Sequence, residues 1–296
     1  MAIDLTWRNL SSDDLPAVAA LAARCLVVDG GLPAAATEDF LARSFAVPGG
    51  VSRGAIDRGG TLVAAGATRP VQRGGSPVAV ATGMVDPAHR GLGIGGRLLD
   101  WALDSAASLA PAVVVETESL TEEAARLFAS RRLRRVFAED VMRFDLADPI
   151  PRTAVPAGIV VERWSAALAD RFFAVYEASF RDRPGFPAWS SREWVDWTTG
   201  DDDFRPEWSL LAVDPQDGDV GFITCADGWI VQVGVRPDRR GRGLGAALVA
   251  EALRRMRAAG AGVALLDVNV DNPAGALYRR LGFIRVGRRA RFASIA

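Results

Sequence analysis

Two glycine- and arginine-rich segments of the chain have the residue types and spacing to bind an anion. Residues 235–245 read VRPDRRGRGLG, and residues 85–95 read VDPAHRGLGIG. Each segment follows an apolar run and precedes apolar residues at helical spacing, so each is predicted to lie between a strand and a helix. Unpaired N–H groups point outward at a helix N-terminus, where the helix dipole adds partial positive charge. The sequence therefore predicts a phosphate site in each segment.

The residue types within these two loops support that interpretation. Glycine is needed there because a Cβ would hold a phosphate away from the backbone. Arginine is a bidentate phosphate binder, and Arg239, Arg240 and Arg242 would add donors to the second loop. The residues also leave open a structural alternative, in which each loop is a solvated basic turn that caps an amphipathic helix.

The same glycines permit a dinucleotide-binding interpretation. GRGLGA (241–246) fits G-x-G-x-x-A, GLGIGG (91–96) fits G-x-G-x-x-G, and Asp267 ends the next strand. However, a dinucleotide fold turns from its first strand directly into the glycines, whereas RPDRR intervenes here. Too few residues follow Gly245 to complete a doubly wound sheet. A nicotinamide-dependent oxidoreductase is therefore disfavoured.

Missing residue types exclude several catalytic classes. The chain contains no lysine, which removes a Walker-type P-loop and any Schiff-base mechanism. A single histidine, His89, cannot supply a Ser-His-Asp triad or a paired-histidine zinc site, so no metal is predicted and His89 is interpreted as a loop residue. The two cysteines, Cys25 and Cys225, lie far apart in the sequence, which argues against a disulfide framework and favours the cytoplasm.

Composition is that of a globular protein with two domains of ordinary size. The formal net charge is only −1, which disfavours a polybasic nucleic-acid-binding protein. No apolar run reaches membrane-spanning length, and the N-terminus lacks the apolar core of a signal peptide. We therefore expect neither a nucleic-acid partner nor a membrane, and the sequence leaves a monomer and a homodimer equally open.

The chain repeats itself with an offset of 150 residues. The two copies keep register without a gap from about residue 83 to residue 136 of the first copy. One long repeat that occurs twice indicates duplicated domains rather than a solenoid. We predict two tandem domains joined by a proline-rich linker, with the boundaries 1–146, 147–157 (the linker) and 158–296.

Each copy is predicted to be mixed α/β. In the second copy, helices are expected at 165–180, with Ser165 as N-cap, at 244–256, and at 272–282, closed by Gly282. The strands are expected at 159–164, 209–214, 219–226, 229–235, 262–270 and 283–294, with a hairpin turn at Asp227–Gly228. The first copy follows the same order, less clearly before residue 78.

The order of these motifs resembles the GNAT superfamily of acyl-CoA-dependent N-acetyltransferases. The resemblance includes R-x-x-G-x-G at Arg240, Gly243 and Gly245, and the later Asn272, Tyr278 and Gly282–Phe283. It covers about residues 158–290, and in weaker form 1–145. The tandem arrangement is similar to that of the mycothiol synthase family. The resemblance implies that acetyl-CoA is the co-substrate and that a small-molecule amine attacks the thioester directly, because neither cysteine lies in a motif position.

The resemblance also implies a role for individual residues. Val233, Gly234 and Val235 would bind the pantetheine arm through their backbone, Asn272 would fix that arm, and Tyr278 would protonate the departing thiolate. The pyrophosphate would be held by Arg240, Gly241, Arg242, Gly243, Leu244, Gly245 and Ala246. The matching first-copy residues are Met84, Val85, Arg90, Gly91, Gly93, Gly95 and Gly96.

The chemical residues differ between the copies. At the same offset Tyr278 falls on Phe128, which has no proton to donate, and Asn272 falls on Glu122. The first domain is therefore predicted to hold acetyl-CoA without turnover or to serve as a supporting wall, and the second domain to be catalytic. Two alternatives remain: Tyr278 as a core aromatic residue, and the whole chain as a non-catalytic acyl-CoA-binding module.

The sequence gives weaker evidence for the general base and for the acceptor site. In the mycothiol synthase family an acidic residue lies early on the strand before the glycine loop, where this chain has Trp229, so Asp227 and Asp267 are only weak candidates. Residues 180–208 would contribute an acceptor pocket or core anchors through Trp189, Trp194, Trp197 and Trp208. The acidic residues of this segment would either attract a cationic amine or belong to a solvated loop. They are Glu193, Asp196 and Asp201–Asp203.

Overall fold

The computed structural model of the chain describes residues 4–183, 185–200 and 202–294. The chain divides into two compact units. Unit 1 comprises the residues up to Val141 together with those from Arg285 onward, and unit 2 comprises Met142–Ile284. No helix among the described residues is long and apolar enough to cross a membrane.

Strands and helices alternate along the chain in the same order in both halves. The first half contains β1 Thr6–Asn9, α1 Leu15–Asp29, α2 Glu38–Phe45, β2 Val51–Ile56, β3 Leu62–Arg73, β4 Ser76–Val85, α3 Ile94–Leu109, β5 Ala112–Thr117, α4 Glu122–Ser130 and β6 Leu133–Asp145. The second half contains β7 Val160–Arg163, α5 Ala169–Phe180, α6 Ser191–Thr199, β8 Leu210–Asp214, β9 Gly218–Ala226, β10 Trp229–Val235, α7 Leu244–Ala258, β11 Val263–Asn269, α8 Ala274–Arg280 and β12 Ile284–Ser294.

Unit 1 is built on a mixed sheet in the order β1-β2-β3-β4-β5-β12. Neighbouring strands are antiparallel except β4 and β5, which run parallel. The parallel pairing ends at Ala81 and Val115, although β4 continues to Val85. The two strands therefore diverge at their C-terminal ends and leave a cleft beside the last residues of β4.

Helices cover both faces of the unit 1 sheet. The side chains of α1 and α2 pack with Ala65 of β3, whereas Leu98 of α3 packs with the adjacent Ala64 on the opposite face. This alternation follows from the two-residue period of a strand. The cleft between β4 and β5 thus lies between a layer of two helices and the N-terminus of α3.

Unit 2 repeats this arrangement with the order β11-β10-β9-β8-β7. Of these strands, β10 and β11 form the one parallel pair, with Trp229 opposite Leu265. The cleft between the two strands begins beyond this position. The register of β10 against β9 shifts between Ile230 and Gln232. Residues 233–235 of β10 therefore lie beside a second cleft that α7 borders at its N-terminus.

The structure confirms the predicted mixed α/β fold with two copies of one arrangement. Gly282 ends α8 with a φ of +96°, and the Phe283 N–H donates to the Tyr278 carbonyl at 3.0 Å. The predicted start of α5 was wrong. Ser165 stands before a 3₁₀ turn, makes no side-chain capping bond, and the α-helix begins only at Ala169. Residues 147–157 contain neither helix nor strand.

One strand has a position that the repeat did not indicate. β12 pairs antiparallel with β5, from Ala290 opposite Thr117 to Ala293 opposite Val114. From Arg285 onward it belongs to unit 1, although it follows all of unit 2 in the sequence. The last residues of β6, from Met142, belong to unit 2.

Candidate active site

The two glycine loops have the same backbone geometry. Gly93 and Gly243 are the N-caps of α3 and α7, with left-handed φ angles of 79° and 83°. A Cβ built on either residue, or on Gly91 or Gly241, would meet no atom within 4 Å. Each loop therefore leaves an open space lined by backbone at a helix N-terminus, which fits a pyrophosphate group.

The residues that follow these glycines point into the protein. Leu244 is buried in the core of unit 2, and Ala246 is half-buried beside it. A Cβ on Gly95 would lie 3.5 Å from Leu127 and one on Gly245 would lie 3.7 Å from Leu277, which are ordinary van der Waals distances. Packing alone therefore does not require glycine at these two positions. Gly96 lies beside Arg131, whose Nη2 would be 3.2 Å from an added Cβ.

The motif arginines brace the loops instead of pointing into them. The Arg240 Nε donates to the Val235 carbonyl at 3.1 Å and its Nη2 to the Ser179 carbonyl at 2.7 Å. In the first loop the Arg90 Nε donates to the Val85 carbonyl at 3.1 Å, and its two Nη atoms donate to the Asp29 carboxylate at 2.6 Å each. Both guanidinium groups thus fix the loop to the end of its strand and to a neighbouring helix.

Charge in the loops is distributed unequally. Arg239 pairs with Asp214 at 3.2 Å and also with Asp217, so its charge is neutralised locally. Arg242 is exposed and has no ion pair among the described residues. The equivalent residue of the first loop is Leu92, half of which is exposed. The second loop therefore offers a phosphate one more guanidinium than the first.

Gly234 is fixed by packing. A Cβ on Gly234 would lie 2.4 Å from the Phe222 ring and 2.9 Å from the Ser179 Oγ. Only glycine lets the ring lie over β10 at that point. Val233 and Val235 are half-buried on either side of it. Among the described residues β10 pairs with its parallel neighbour β11 only at Trp229, so the outer edge of residues 233–235 is available to a ligand backbone.

Tyr278 lies on α8 with its ring edge-on to Phe283, at a centroid distance of 5.9 Å. The side chain is 8% exposed. Burial raises the pKa of Tyr278 to about 12, and its hydroxyl has no hydrogen-bond partner among the described residues. The hydroxyl is therefore protonated at neutral pH. The ring also packs in the core. Tyr278 can therefore be both a core aromatic residue and a proton donor.

Asn272 has a structural role that the sequence reasoning missed. Its Oδ1 accepts from the N–H of Ala274, the first residue of the short helix that carries Tyr278, at 2.9 Å. At the start of α4 the N-cap Thr121 accepts from the Ala124 N–H at 3.1 Å. The Asn-Pro pair before α8 was a signal for this helix start.

The two candidate bases lie in different surroundings. Asp227 is on the turn between β9 and β10, 58% exposed at the side chain and 3.5 Å from the Arg205 guanidinium. Asp267 lies half-buried on β11. The sequence reasoning missed Gln232, a polar residue at the register shift of β10. Its Oε1 accepts from the Trp194 Nε1 at 3.1 Å.

The tryptophans of residues 180–208 divide into two classes. Trp194 and Trp208 are buried in the unit 2 cores. Trp189 and Trp197 lie 5.3 Å apart, and Trp197 is 48% exposed, so this pair is the one available to a ligand. The acidic residues are partly engaged. The Glu193 carboxylate accepts from the Ser190 N–H in a capping box, Asp196 pairs with Arg192, and Asp201 lies outside the described residues.

Unit 1 contains a cavity of about 410 Å³ that reaches from the first glycine loop into the cleft between β4 and β5. One side of it is lined by Met84, Val85 and the four glycines Gly91, Gly93, Gly95 and Gly96. Phe128 forms part of the wall, 9% exposed and 4.8 Å from the Phe292 ring. Phe128, which is equivalent to Tyr278, thus faces the cavity but has no hydroxyl group.

Comparison with known proteins gives a consistent result. The model of the acetyltransferase (GNAT) family matches residues 19–132 and 172–283. A mycothiol acetyltransferase of Nocardia farcinica is 30% identical over 295 residues, which cover 95% of this chain and 94% of that protein. A mycothiol acetyltransferase of Clavibacter sepedonicus is 32% identical over 216 residues, 68% of this chain and 67% of that protein.

Solved structures show the same tandem arrangement. A GCN5-related N-acetyltransferase from Sphaerobacter thermophilus superimposes with a TM-score of 0.74 and 26% identity, over 98% of this chain and 95% of that one. A tandem GNAT protein from the clavulanic acid biosynthesis pathway shares the fold, with a TM-score of 0.61 and 21% identity over 98% of both chains.

Proposed function

Because the chain belongs to the acetyltransferase (GNAT) family, whose members transfer an acetyl group from acetyl-CoA to an amine, we propose that unit 2 performs this reaction on the primary amine of a small molecule. The family membership gives the activity, which is N-acetyl transfer from acetyl-CoA. Its assignment to unit 2 is what we propose. In the sequence, the proposed catalytic copy of the repeat spans residues 158–296, the proposed non-catalytic copy spans residues 1–146, and residues 147–157 are the segment between them. In the fold, the last strand of the second copy, from Arg285 onward, belongs to unit 1.

The difference between Tyr278 and Phe128 supports this location. Phe128 and Tyr278 lie at equivalent positions of the two copies, but only Tyr278 has a hydroxyl group that can donate a proton. The second loop also has Arg242 where the first has the apolar Leu92. Both differences favour unit 2 for a reaction that releases a thiolate from a phosphate-bearing substrate.

The residues of unit 2 would divide the work as follows. The open backbone before Gly243 and the exposed Arg242 would hold the pyrophosphate, and the free edge of β10 at 233–235 would align the pantetheine arm. The amine nitrogen would attack the thioester carbonyl, so that the C–N bond forms and the C–S bond breaks. Tyr278 would give its proton to the leaving sulfur, and the amine proton would pass to a carboxylate or to water.

Direct attack is supported by the state of the two thiols. Cys225 is fully buried, and desolvation raises the pKa of its thiol well above the ordinary value. Burial also raises the pKa of the Cys25 thiol. Because the thiolate is the nucleophilic form, neither cysteine suits an acyl-enzyme intermediate. Two buried free cysteines also support a cytoplasmic location, in which the enzyme would act as a monomer or homodimer.

The acceptor is proposed from the relatives. Two of them are named mycothiol acetyltransferases, so a primary amine related to mycothiol is the first acceptor to test. Trp229 stands where an acidic residue is expected in that family. A screen should therefore include other amines, among them aminoglycosides and amino-sugar thiols, with release of free CoA as the signal.

A matched pair of loop variants tests the location of the reaction. Gly243→Val and Gly93→Val each place a branched side chain in an open loop at a similar left-handed φ, so both have similar backbone strain. We expect Gly243→Val to reduce acetyl transfer on the order of 10²-fold by displacing the phosphates, and Gly93→Val to leave it within about threefold. Thermal unfolding would verify that both variants fold. Equal losses, or a loss only in Gly93→Val, would contradict the assignment to unit 2.

A further inference from the structure

The cavity of unit 1 has two chemically different ends. At one end lie the glycines of the first loop, Gly91 and Gly93, with their open backbone at the N-terminus of α3. From there the cavity passes between β4 and β5 at Thr82–Val85 and reaches the opposite face of the sheet, beneath α1 and α2. A ligand that fills it must therefore be anionic at one end and extend through the cleft to the other face.

The far end, which we call the acyl chamber, is almost entirely apolar. It is the part of the cavity lined by Ala22, Ala35, Ala36, Phe40, Leu41 and Phe45, with Ser44 as its polar residue on α2. A site for an ammonium acceptor would require carboxylates or carbonyls at this place. Chain-like apolar groups fit the acyl chamber instead, because burial in it removes them from water without leaving polar groups unpaired.

The polar side chains nearest to the acyl chamber are already engaged. The Asp29 carboxylate is held by both Nη atoms of Arg90 at 2.6 Å. The Cys25 Sγ donates to the Val85 carbonyl at 3.4 Å, and burial raises the pKa of its thiol. Two further carboxylates line the cavity, and both are in ion pairs: Glu118 with Arg289 at 3.3 Å and Glu123 with Arg126 at 2.8 Å. Phe128, in the place of Tyr278, supplies no acid.

In unit 2, larger side chains occupy the region that corresponds to the acyl chamber. Ala22 is the eighth residue of α1, and the eighth residue of α5 is Tyr176, which is 1% exposed. Ala65 pairs with Met84 in unit 1, whereas Phe222 pairs with Gly234 in unit 2. The rings of Tyr176 and Phe222 lie 6.3 Å apart and fill the region. In unit 1 the smaller side chain of Ala22 lines the cavity, and the pair Ala65–Met84 places its large side chain on β4 instead of β3.

We propose that unit 1 binds an acyl-CoA whose acyl chain is longer than acetyl and holds it without turnover. The first loop takes the phosphates, the cleft takes the pantetheine arm, and the acyl chamber takes the chain. The inference rests on the proposed function in one respect, the use of a glycine loop for CoA phosphates. It assigns the two units different ligands: acetyl-CoA for the catalytic unit 2, and a longer acyl-CoA for unit 1.

Calorimetric titration of the full chain carrying Gly243→Val, which removes CoA binding at unit 2, tests this assignment. The probes are CoA, acetyl-CoA and hexanoyl-CoA. Each buried methylene tightens binding about fourfold, so hexanoyl-CoA, with four more methylenes than acetyl-CoA, should bind about 250-fold more tightly. Equal affinities of acetyl-CoA and hexanoyl-CoA would overturn the proposal.

Variants that fill the acyl chamber provide the second test. Ala36→Phe should remove most of the preference for hexanoyl-CoA and leave the affinity for CoA itself within about threefold, since CoA has no acyl group. Ala22→Tyr, which copies the residue of unit 2, should do the same and serves if Ala36→Phe does not fold. A preference that survives in folded variants would contradict the inference.

The outcome also separates this inference from the proposed function. If unit 1 binds none of the three probes while the unmodified chain still acetylates an amine, the acyl-CoA assignment of unit 1 fails and unit 2 remains the catalytic unit. If hexanoyl-CoA binds tightly at unit 1 but Tyr278→Phe retains full acetyl transfer, the inference stands and the proposed mechanism fails.

Discussion

Replacement of Tyr278 by phenylalanine is the most direct test of the mechanism. The substitution removes one oxygen atom and leaves the ring that packs edge-on to Phe283. That hydroxyl has no hydrogen-bond partner among the described residues, so its loss should change the free energy of unfolding by less than about 1 kcal/mol. Affinity for acetyl-CoA should also persist, because the loop residues that would hold the phosphates are unchanged.

The rate should fall by roughly 10²–10⁴, the usual contribution of a positioned acid or base. The decrease should appear equally in kcat and in kcat/KM, because the proton is transferred only in the transition state. Release of CoA thiol with a confirmed amine acceptor provides the assay, and calorimetry with acetyl-CoA verifies that binding is intact. A larger KM with unchanged kcat would indicate a binding role for the hydroxyl instead.

The matched control is Phe128→Tyr, which places a hydroxyl at the equivalent position in the cavity wall of unit 1. Because no acetyl transfer is assigned to unit 1 and Asp29, which lines the same cavity, is held by Arg90, this variant should retain the rate of the unmodified protein. Near-full activity of Tyr278→Phe would show that water or another residue protonates the thiolate. The division between a catalytic and a non-catalytic unit would then lose its main support.

Two further predictions concern charge and protonation. Arg242→Ala should weaken acetyl-CoA binding at unit 2 about 10- to 100-fold and make it less dependent on salt, as calorimetry at two ionic strengths would show, whereas Leu92→Ala should change neither. Titration followed by phenolate absorbance should show Tyr278 ionising near pH 12 in the folded protein, above its ordinary pKa of 10.0. Because the folded-state pKa is raised, the stability that neutral Tyr278 contributes should be complete below about pH 10 and be lost between pH 10 and 12. The only other tyrosine, Tyr176, also has a pKa raised by burial, so ionisation of either residue near its ordinary pKa would contradict this picture.

The parts of the fold that follow from local patterns were predictable. The residues Leu244, Leu248, Ala252 and Met256 recur at helical spacing, and all four are buried along one face of α7. The glycine loops were equally visible, because left-handed φ angles at Gly93 and Gly243 require a residue without a side chain. In these cases the physical cause lies within a few residues of the sequence.

Features that depend on distant residues were not predictable. The sequence identifies Arg240 as a donor beside a phosphate loop, but it cannot show that the guanidinium reaches the Ser179 carbonyl, 61 residues away. It shows four tryptophans between residues 180 and 208, but not that Trp194 is buried and holds Gln232. The partner of an arginine or an indole is set by the tertiary fold, which a single sequence does not display.

The position of β12 has a consequence for how the protein is made. A ribosome synthesises the chain from its N-terminus, and domains commonly fold in that order. Unit 1, however, includes the residues from Arg285 onward, which are synthesised after all of unit 2. The first unit therefore cannot complete its sheet until unit 2 has been synthesised. A premature stop codon just before Arg285 would leave every motif residue of the second copy in place and remove instead the strand that borders β5 in the first unit.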